Sequence, residues 1–342
     1  MICTAGWGQM SLRITAAVER WPVAGQFIIA RGAKTYVDVL VVAVSDGNHI
    51  GYGEGTAIYY HGESAESCLA QVESVIDRLD GLDADGARVS LQMLLPAGAA
   101  RNALDCALWD VAAKAAGKPL WQYAGLAVAP KPLVTAFTIS LGEAAVMEAD
   151  AAKAAAKGYG LLKLKLTGDD DRARVAAVRA GAPGARLIVD ANESWAGMDI
   201  AAEAVALAEL GVEMIEQPVP AGQDEMLARV KSPLPLLADE SCHIAADVAR
   251  LAPYYDGVNI KLDKAGGLTE ALKLAQVAEA AGLKTMVGCM LSTSLGIGHA
   301  FLVAQHAHWV DLDGPALLAE DRDQGFRFEG GTIIPPSENL TG

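Results

Sequence analysis

From about residue 133 the chain repeats one unit, and this period restricts the possible fold more than any other feature. A short apolar run leads into a polar turn and then an alanine-rich stretch. The runs are TAFTIS, LLKLKL, RLIVDAN, VEMIEQPV, LPLLADES, GVNIKLDK, KTMVGCM and WVDLDGP. Between them lie segments such as EAAVMEADAAKAAAKG, DIAAEAVALAELG and TEALKLAQVAEAAG, each closing near a glycine as helices commonly do. Alternating strands and helices imply a parallel sheet with right-handed crossovers. Eight strands at such regular intervals imply closure into a barrel. No long amphipathic stretch follows the last run. The pattern describes an α/β protein with a modified (β/α)7β TIM-like barrel over residues 126–315.

Residues 1–125 have a different character, that of an α+β capping domain. LRITAAVERWPV and YVDVLVVAV are strand-like, SDGN supplies a hairpin turn, and SAESCLAQVESVIDRL and AARNALDCALWDVAAKAAG have helical patterning. The barrel's own βα connections are short and exclude little water. Lids are therefore expected from residues 22–34, around PVAGQFIIARGAK, and 55–64, around GTAIYYHGES. GYGEGT, residues 51–56, is glycine-rich but does not open a helix as a phosphate loop does, and reads as turn and lid. Residues 316–342 are expected to return to the capping domain.

Charge and cysteine content exclude several classes. A formal charge of −15 argues against nucleic acid or an anionic membrane as partner. The segment from Thr285 to Val310 carries no Asp, Glu, Lys or Arg and is long enough to span a bilayer. Its serines, threonines, histidines and glycines fit a buried strand and helix better, so a soluble protein is expected. Five scattered cysteines, without metal or redox spacing, suit free thiols in a reducing cytoplasm. MICTAGWGQM lacks the basic and apolar regions of a signal peptide, and the fold is expected to start near Ser11.

Polar residues mark the same period independently. Lys165, Asp190, Glu216, Asp239, Lys261 and Cys289 follow one another at intervals of 25, 26, 23, 22 and 28 residues, each near the C-terminal end of its run. In a (β/α) barrel that end carries the chemistry. Asp190, Glu216 and Asp239 fall on the third, fourth and fifth strands, where they would repel one another unless a cation sat among them. Oxygen-only ligands favour a hard dication, Mg2+ before Mn2+. In LLKLKLTG, residues 161–168, alternation buries Leu162, Leu164 and Leu166 on one side and brings Lys163 and Lys165 together on the other.

On the sixth strand the same alternation turns Lys261 inward with Asn259 and Asp263. Strands two and six lie half a turn apart, so Lys165 and Lys261 face each other across the mouth. This geometry suits moving a proton onto or off either face of a carbon whose neighbouring carboxylate, held by the metal, takes up charge as an enediolate. A lysine base needs a pKa brought down from about 10.4 towards about 7–8. Lys163 and the metal are expected to hold Lys165 deprotonated.

These residues resemble the enolase superfamily in its muconate-lactonising subgroup, which is marked by K-x-K on strand two and a lysine on strand six. LIVDANESW, EQP, ADES and NIKLDKAGG occur in the expected order, and the likeness covers nearly the whole chain from about Leu12. Lysine bases beside Mg2+ are that superfamily's chemistry. The resemblance implies Asp190, Glu216 and Asp239 as Mg2+ ligands and Lys165 and Lys261 as acid/base catalysts. On strand eight, DLDGP looks like the D-x-D signature of dipeptide epimerases, in which Asp311 and Asp313 would bind the substrate's free α-ammonium. GCMLSTS and FIIARG also look like the L-Ala-D/L-Glu epimerase branch.

By the same resemblance Thr138, Lys163, Cys289 and Leu291 would line the substrate, and Arg31 would meet the glutamate side-chain carboxylate. Asn192 and Glu240 would support the ligands and Lys261. Glu193, Trp195 and His243 are expected at the rim or in packing, and His61 on the surface. The implied partner is a small murein dipeptide. A homo-oligomer is also implied, although the sequence marks no interface. Competing readings are other subgroup members: an N-acylamino acid racemase, o-succinylbenzoate synthase or muconate cycloisomerase. A metal-free Schiff-base lysine barrel and a non-catalytic binding protein are more distant alternatives.

Overall fold

The computed structural model describes residues 11–29 and 32–336; Arg31 and the first ten residues lie outside them. An antiparallel sheet opens the chain, built from β1 (Arg13–Ile29), β2 (Gly32–Ser45) and β3 (Ile50–Thr56). The β2–β3 turn is pinned by Asp46 Oδ1, which accepts the main-chain N–H groups of Asn48 and His49 at 2.8 and 2.7 Å. The first expected lid segment is the far end of the β1–β2 hairpin. Its register breaks between Pro22 and Phe27, where proline offers no N–H to the ladder.

GYGEGT is neither turn nor lid over most of its length; it forms β3. Gly51, Gly53 and Gly55 share one face, and the helix Ala99–Ala115 lies directly on them. A Cβ on Gly53 would sit 2.1 Å from the Ala103 carbonyl oxygen, and one on Gly51 2.3 Å from that of Ala107. Period-two glycines facing period-four alanines let strand and helix backbones touch.

After the short β4 (Leu133–Val134), eight parallel strands follow in spatial order: β5 (Phe137–Ile139), β6 (Leu161–Lys165), β7 (Arg186–Asp190), β8 (Val212–Glu216), β9 (Leu236–Ala238), β10 (Gly257–Lys261), β11 (Lys284–Gly288) and β12 (Trp309–Asp311). The seam is nearly closed, because Ala136 N–H donates to the Val310 carbonyl at 2.8 Å and Leu312 N–H to Thr135 Oγ1 at 2.9 Å. Leu161, Ile188, Met214, Leu237, Met286 and Trp309 form one small buried cluster. Leu162, Leu164 and Leu166 belong instead to the large layer between strands and helices. Lys163 and Lys165 therefore stand above Leu161 on the inner face of β6.

The chain after β12 makes two sets of contacts. Leu318 bridges Val23, and Ala319 N–H donates to the Pro22 carbonyl at 2.8 Å. Beyond these, β13 (Arg327–Glu329) and β14 (Thr332–Ile334) form a hairpin that pairs with β4 at the other end of the barrel. Among the described residues no helix is long and apolar enough to cross a membrane.

Candidate active site

Strand register brings the polar residues to one level. Lys165 pairs with Asp190 across β6–β7, Asp190 with Glu216 across β7–β8, and Gly288 with both Lys261 and Asp311. Asp239 follows β9 by one residue. Asp190, Glu216 and Asp239 are buried, each with a carboxylate oxygen within 4.8 Å of the others'. Such a set of hard oxygen donors fits a divalent cation. Glu216 Oε2 accepts no aligned hydrogen bond and is balanced by a cationic charge alone, that of Lys163 at 2.7 Å, a setting that a bound cation could also supply.

Lysines compensate these charges. Lys165 Nζ donates to Asp190 Oδ2 at 2.6 Å, and Lys261 Nζ to Asp239 Oδ2 at 2.7 Å. Lys163 Nζ lies 2.7 Å from Glu216 Oε2, 2.8 Å from Asp311 Oδ2 and 3.3 Å from Asp190 Oδ2. Its charge is thus committed to three carboxylates, and this, more than any action on Lys165, explains why two lysines share the face. Burial alone would favour neutral amines, but the carboxylates outweigh it and raise both Lys163 and Lys261. Burial likewise opposes ionised acids. Lys165 and Lys163 nevertheless bring Asp190 down to about 2, and Lys261 and Lys264 hold Asp239 well below the usual range. Glu216, pushed up by burial and by Asp190, rises to about 7.

At β12, Asp311 Oδ1 is buried and accepts no hydrogen bond, while Oδ2 meets Lys163. Asp313 Oδ2 accepts the Thr138 main-chain N–H at 2.7 Å. Burial, then repulsion from Asp311, raises Asp313 to about 7. These residues and Lys163 line a small recess. It adjoins a cleft bordered by Phe27, Lys34, Tyr59, Lys165, Lys261 and Leu291. Cys289 borders both spaces; burial and the two aspartates push its thiol well up, which suits a lining group and not a nucleophile.

Asn192 supports Asp190 through its main-chain N–H, 2.9 Å from Oδ1, and its amide donates to Glu240 Oε1 at 3.3 Å. Trp195 is fully buried, with Nε1 donating to Asp171 Oδ2 at 2.9 Å. The His61 ring packs at a tilt of 55° against His243, 4.5 Å between ring centroids, and His243 Nε2 is 2.9 Å from the Glu240 carbonyl.

Asp263 departs from its expected inward position. β10 ends at Lys261 and a short helix, Leu262–Ala265, begins, so strand alternation no longer applies. Asp263 turns to the capping domain, where Oδ1 accepts Thr56 N–H at 2.8 Å and the Asn102 amide at 2.9 Å. Thr56 Oγ1 in turn donates to the Leu291 carbonyl at 2.9 Å. Sequence reasoning missed Lys264, which is buried 2.6 Å from Asp239 Oδ1. Its signal was the spacing of Lys261 and Lys264, one helical turn apart in KLDKAGG.

An eight-stranded barrel with a capping domain, and acids and lysines at its strand ends, defines a class. The family described as mandelate racemase / muconate lactonizing enzyme, N-terminal domain, matches residues 11–125, and the enolase C-terminal domain-like family matches residues 146–339. The chain belongs to the enolase superfamily. It is 44% identical over 316 residues to the L-Ala-D/L-Glu epimerase of Escherichia coli (strain K12), covering 92% of this chain and 97% of that protein. It is 40% identical over 308 residues to an N-acetyl-D-glutamate racemase of Pseudoalteromonas sp, covering 89% and 95%. Among solved structures, an enolase family member from Agrobacterium tumefaciens with homology to dipeptide epimerases, holding sodium and L-Ala-L-Glu, aligns with a TM-score of 0.91 at 48% identity over 97% of this chain and 100% of that one. A dipeptide epimerase from Cytophaga hutchinsonii, complexed with Mg and D-Ala-L-Val, aligns with a TM-score of 0.90 at 27% identity, covering 97% and 95%. The epimerases and racemases among these relatives are isomerases of amino-acid derivatives.

Proposed function

We propose that this chain is a Mg2+-dependent dipeptide epimerase of the L-Ala-D/L-Glu type that inverts the α-carbon of the C-terminal residue. The observation that carries the proposal is the recess at β12. Lys163 meets one of its two aspartates and divides its charge with Glu216 and Asp190, which leaves the recess net negative and an unpartnered buried oxygen on Asp311. A substrate ammonium supplies both the charge and the hydrogen bond that are missing.

Asp190, Glu216 and Asp239 would hold Mg2+, with Mn2+ as a substitute; when bound, the ion supplies Lewis-acid charge for the substrate's carboxylate. Lys165 and Lys261 stand four strands apart in the eight-stranded sheet, on opposite sides of the cleft. One lysine, freed from its carboxylate as the neutral amine, would take the α-proton and become an ammonium, while the other, as an ammonium, would deliver its proton to the opposite face and become neutral, which inverts the centre. Lys163 adds positive charge beside the carboxylate, while Thr138, Cys289 and Leu291 border the substrate. Asn192 and Glu240 steady the ligands. Arg31, outside the described residues, is assigned to the glutamate side chain. Murein peptide breakdown in the cytoplasm would supply such dipeptides, and a homo-oligomer is compatible with this role.

A second reading, N-acylglutamate racemisation, is favoured by the 40% identical relative. It leaves Asp311 and Asp313 facing a neutral amide, and dehydration or cycloisomerisation of a carboxylate leaves them equally unmatched. Proton NMR in D2O separates these readings. With Mg2+, L-Ala-L-Glu should exchange its glutamate α-proton and epimerise far faster than N-acetyl-L-glutamate. Exchange confined to the acylated substrate would replace the proposal with the racemase.

A further inference from the structure

Each of the three acidic side chains sets one oxygen against a buried partner, by a hydrogen bond for Asp190 and Glu216 and by an ion pair for Asp239, and turns the other to the strand-end lysines. Asp190 Oδ1 accepts the Asn192 main-chain N–H at 2.9 Å, Glu216 Oε1 accepts the Asn259 amide at 2.7 Å, and Asp239 Oδ1 lies 2.6 Å from Lys264 Nζ. The second oxygens, Asp190 Oδ2, Glu216 Oε2 and Asp239 Oδ2, meet ammonium groups of Lys165, Lys163 and Lys261. The two kinds of donor differ in how firmly they are held. Lys264 is 2% exposed and gives its three N–H groups to the carbonyls of Asp239, of Cys242 at 2.8 Å and of Asn259 at 3.0 Å, which fixes its charge beside Asp239 Oδ1, while Asn259 is wholly buried.

We infer that Lys264 and Asn259 are positioning residues that restrict Asp239 and Glu216 to one ligand oxygen each, and that this restriction selects a small six-coordinate dication over calcium. Calcium takes six to eight oxygens and commonly draws both from a carboxylate, whereas magnesium keeps near-octahedral, single-oxygen contacts. A carboxylate whose second oxygen is tied to the scaffold cannot offer the two-oxygen grip that calcium gains from. The inference rests on the metal-binding part of the proposed function and is independent of the substrate.

Calorimetric titration of chelator-stripped protein with MgCl2 and with CaCl2, without substrate, tests it. The wild type should bind Mg2+ more tightly than Ca2+. Lys264→Met and Asn259→Leu should each lose about 10–100-fold in Mg2+ affinity, the usual effect of removing a group that orients a metal ligand. Ca2+ affinity should fall much less or rise, so the selectivity ratio collapses. Equal weakening of both ions would mark a merely structural role and overturn the inference, as would unchanged ratios or a wild type that prefers Ca2+. Circular dichroism identifies any variant that does not fold; should Lys264→Met fail, Asn259→Leu carries the same test. Selective Mg2+ binding in a protein that epimerises no dipeptide would sink the proposed reaction and leave this inference standing.

Discussion

Asp313→Asn removes one charge from the recess at β12 and little else. The amide oxygen of asparagine still accepts the Thr138 N–H that Asp313 Oδ2 now holds at 2.7 Å. The substitution removes one of the recess's two carboxylates and leaves Asp311, whose Oδ2 sits 2.8 Å from Lys163. A hydrogen bond to a charged group contributes about 1.5–3 kcal/mol, and a broken buried pair costs more. A loss of about 3 kcal/mol corresponds to a fall on the order of 100-fold in kcat/KM for L-Ala-L-Glu. N-acetyl-L-glutamate has no ammonium to lose, so its slower turnover should be unchanged or improved. The pH profile provides a second readout. Burial and Asp311 raise Asp313 to about 7, so the wild-type charge disappears as pH falls through that value. The dipeptide amine, with a pKa of about 8, stays protonated there. Wild-type kcat/KM should therefore fall more steeply below pH 7 than the lysine base alone requires, and the asparagine variant should keep only the shallower limb of that base. Equal losses on both substrates, or no loss on the dipeptide, would refute the assignment of the recess to an ammonium.

Gly53→Ala would place a methyl group 2.1 Å from the Ala103 carbonyl oxygen, and should lower the urea midpoint by an amount equivalent to about 1–3 kcal/mol or more. An unchanged midpoint would contradict the direct strand–helix contact. Lys163→Met strips Glu216 and Asp311 of their shared ammonium, so chelator-treated protein should lose about 3–5 kcal/mol, part of it recovered in Mg2+; the comparison is thermal melting with and without the ion. Asp263 is raised to about 7 by burial, against about 3.9 unfolded. The folded state thus holds an extra proton between these values, and this group's contribution to stability falls as pH rises through that window and levels above it. Asp263→Asn should flatten that slope in urea titrations run from pH 4 to 8.

The barrel was legible because its period is simple: strands carry β-branched and leucine runs, alanine-rich helices separate them, and the chemistry lies at the strand ends. Lys165, Asp190, Glu216 and Asp239 met one another as alternation and strand order required. Alternation failed where a strand stopped. One residue past Lys261 the backbone turns helical, which sends Asp263 to the capping domain and folds Lys264 back under Asp239. GYGEGT misled because glycine favours turns and close packing alike, and only the helix above it distinguishes the two. The orphaned oxygen on Asp311 was beyond sequence reasoning altogether, since it depends on which partner Lys163 chooses.

The two-base claim is tested most directly by following α-proton exchange in D2O with Lys165→Ala and Lys261→Ala, each given L-Ala-L-Glu and L-Ala-D-Glu separately. The account predicts that neither variant epimerises. Each should exchange the α-proton of a single epimer, and the two variants should act on opposite ones. Exchange of the same epimer by both variants, or full inversion by either, would contradict it.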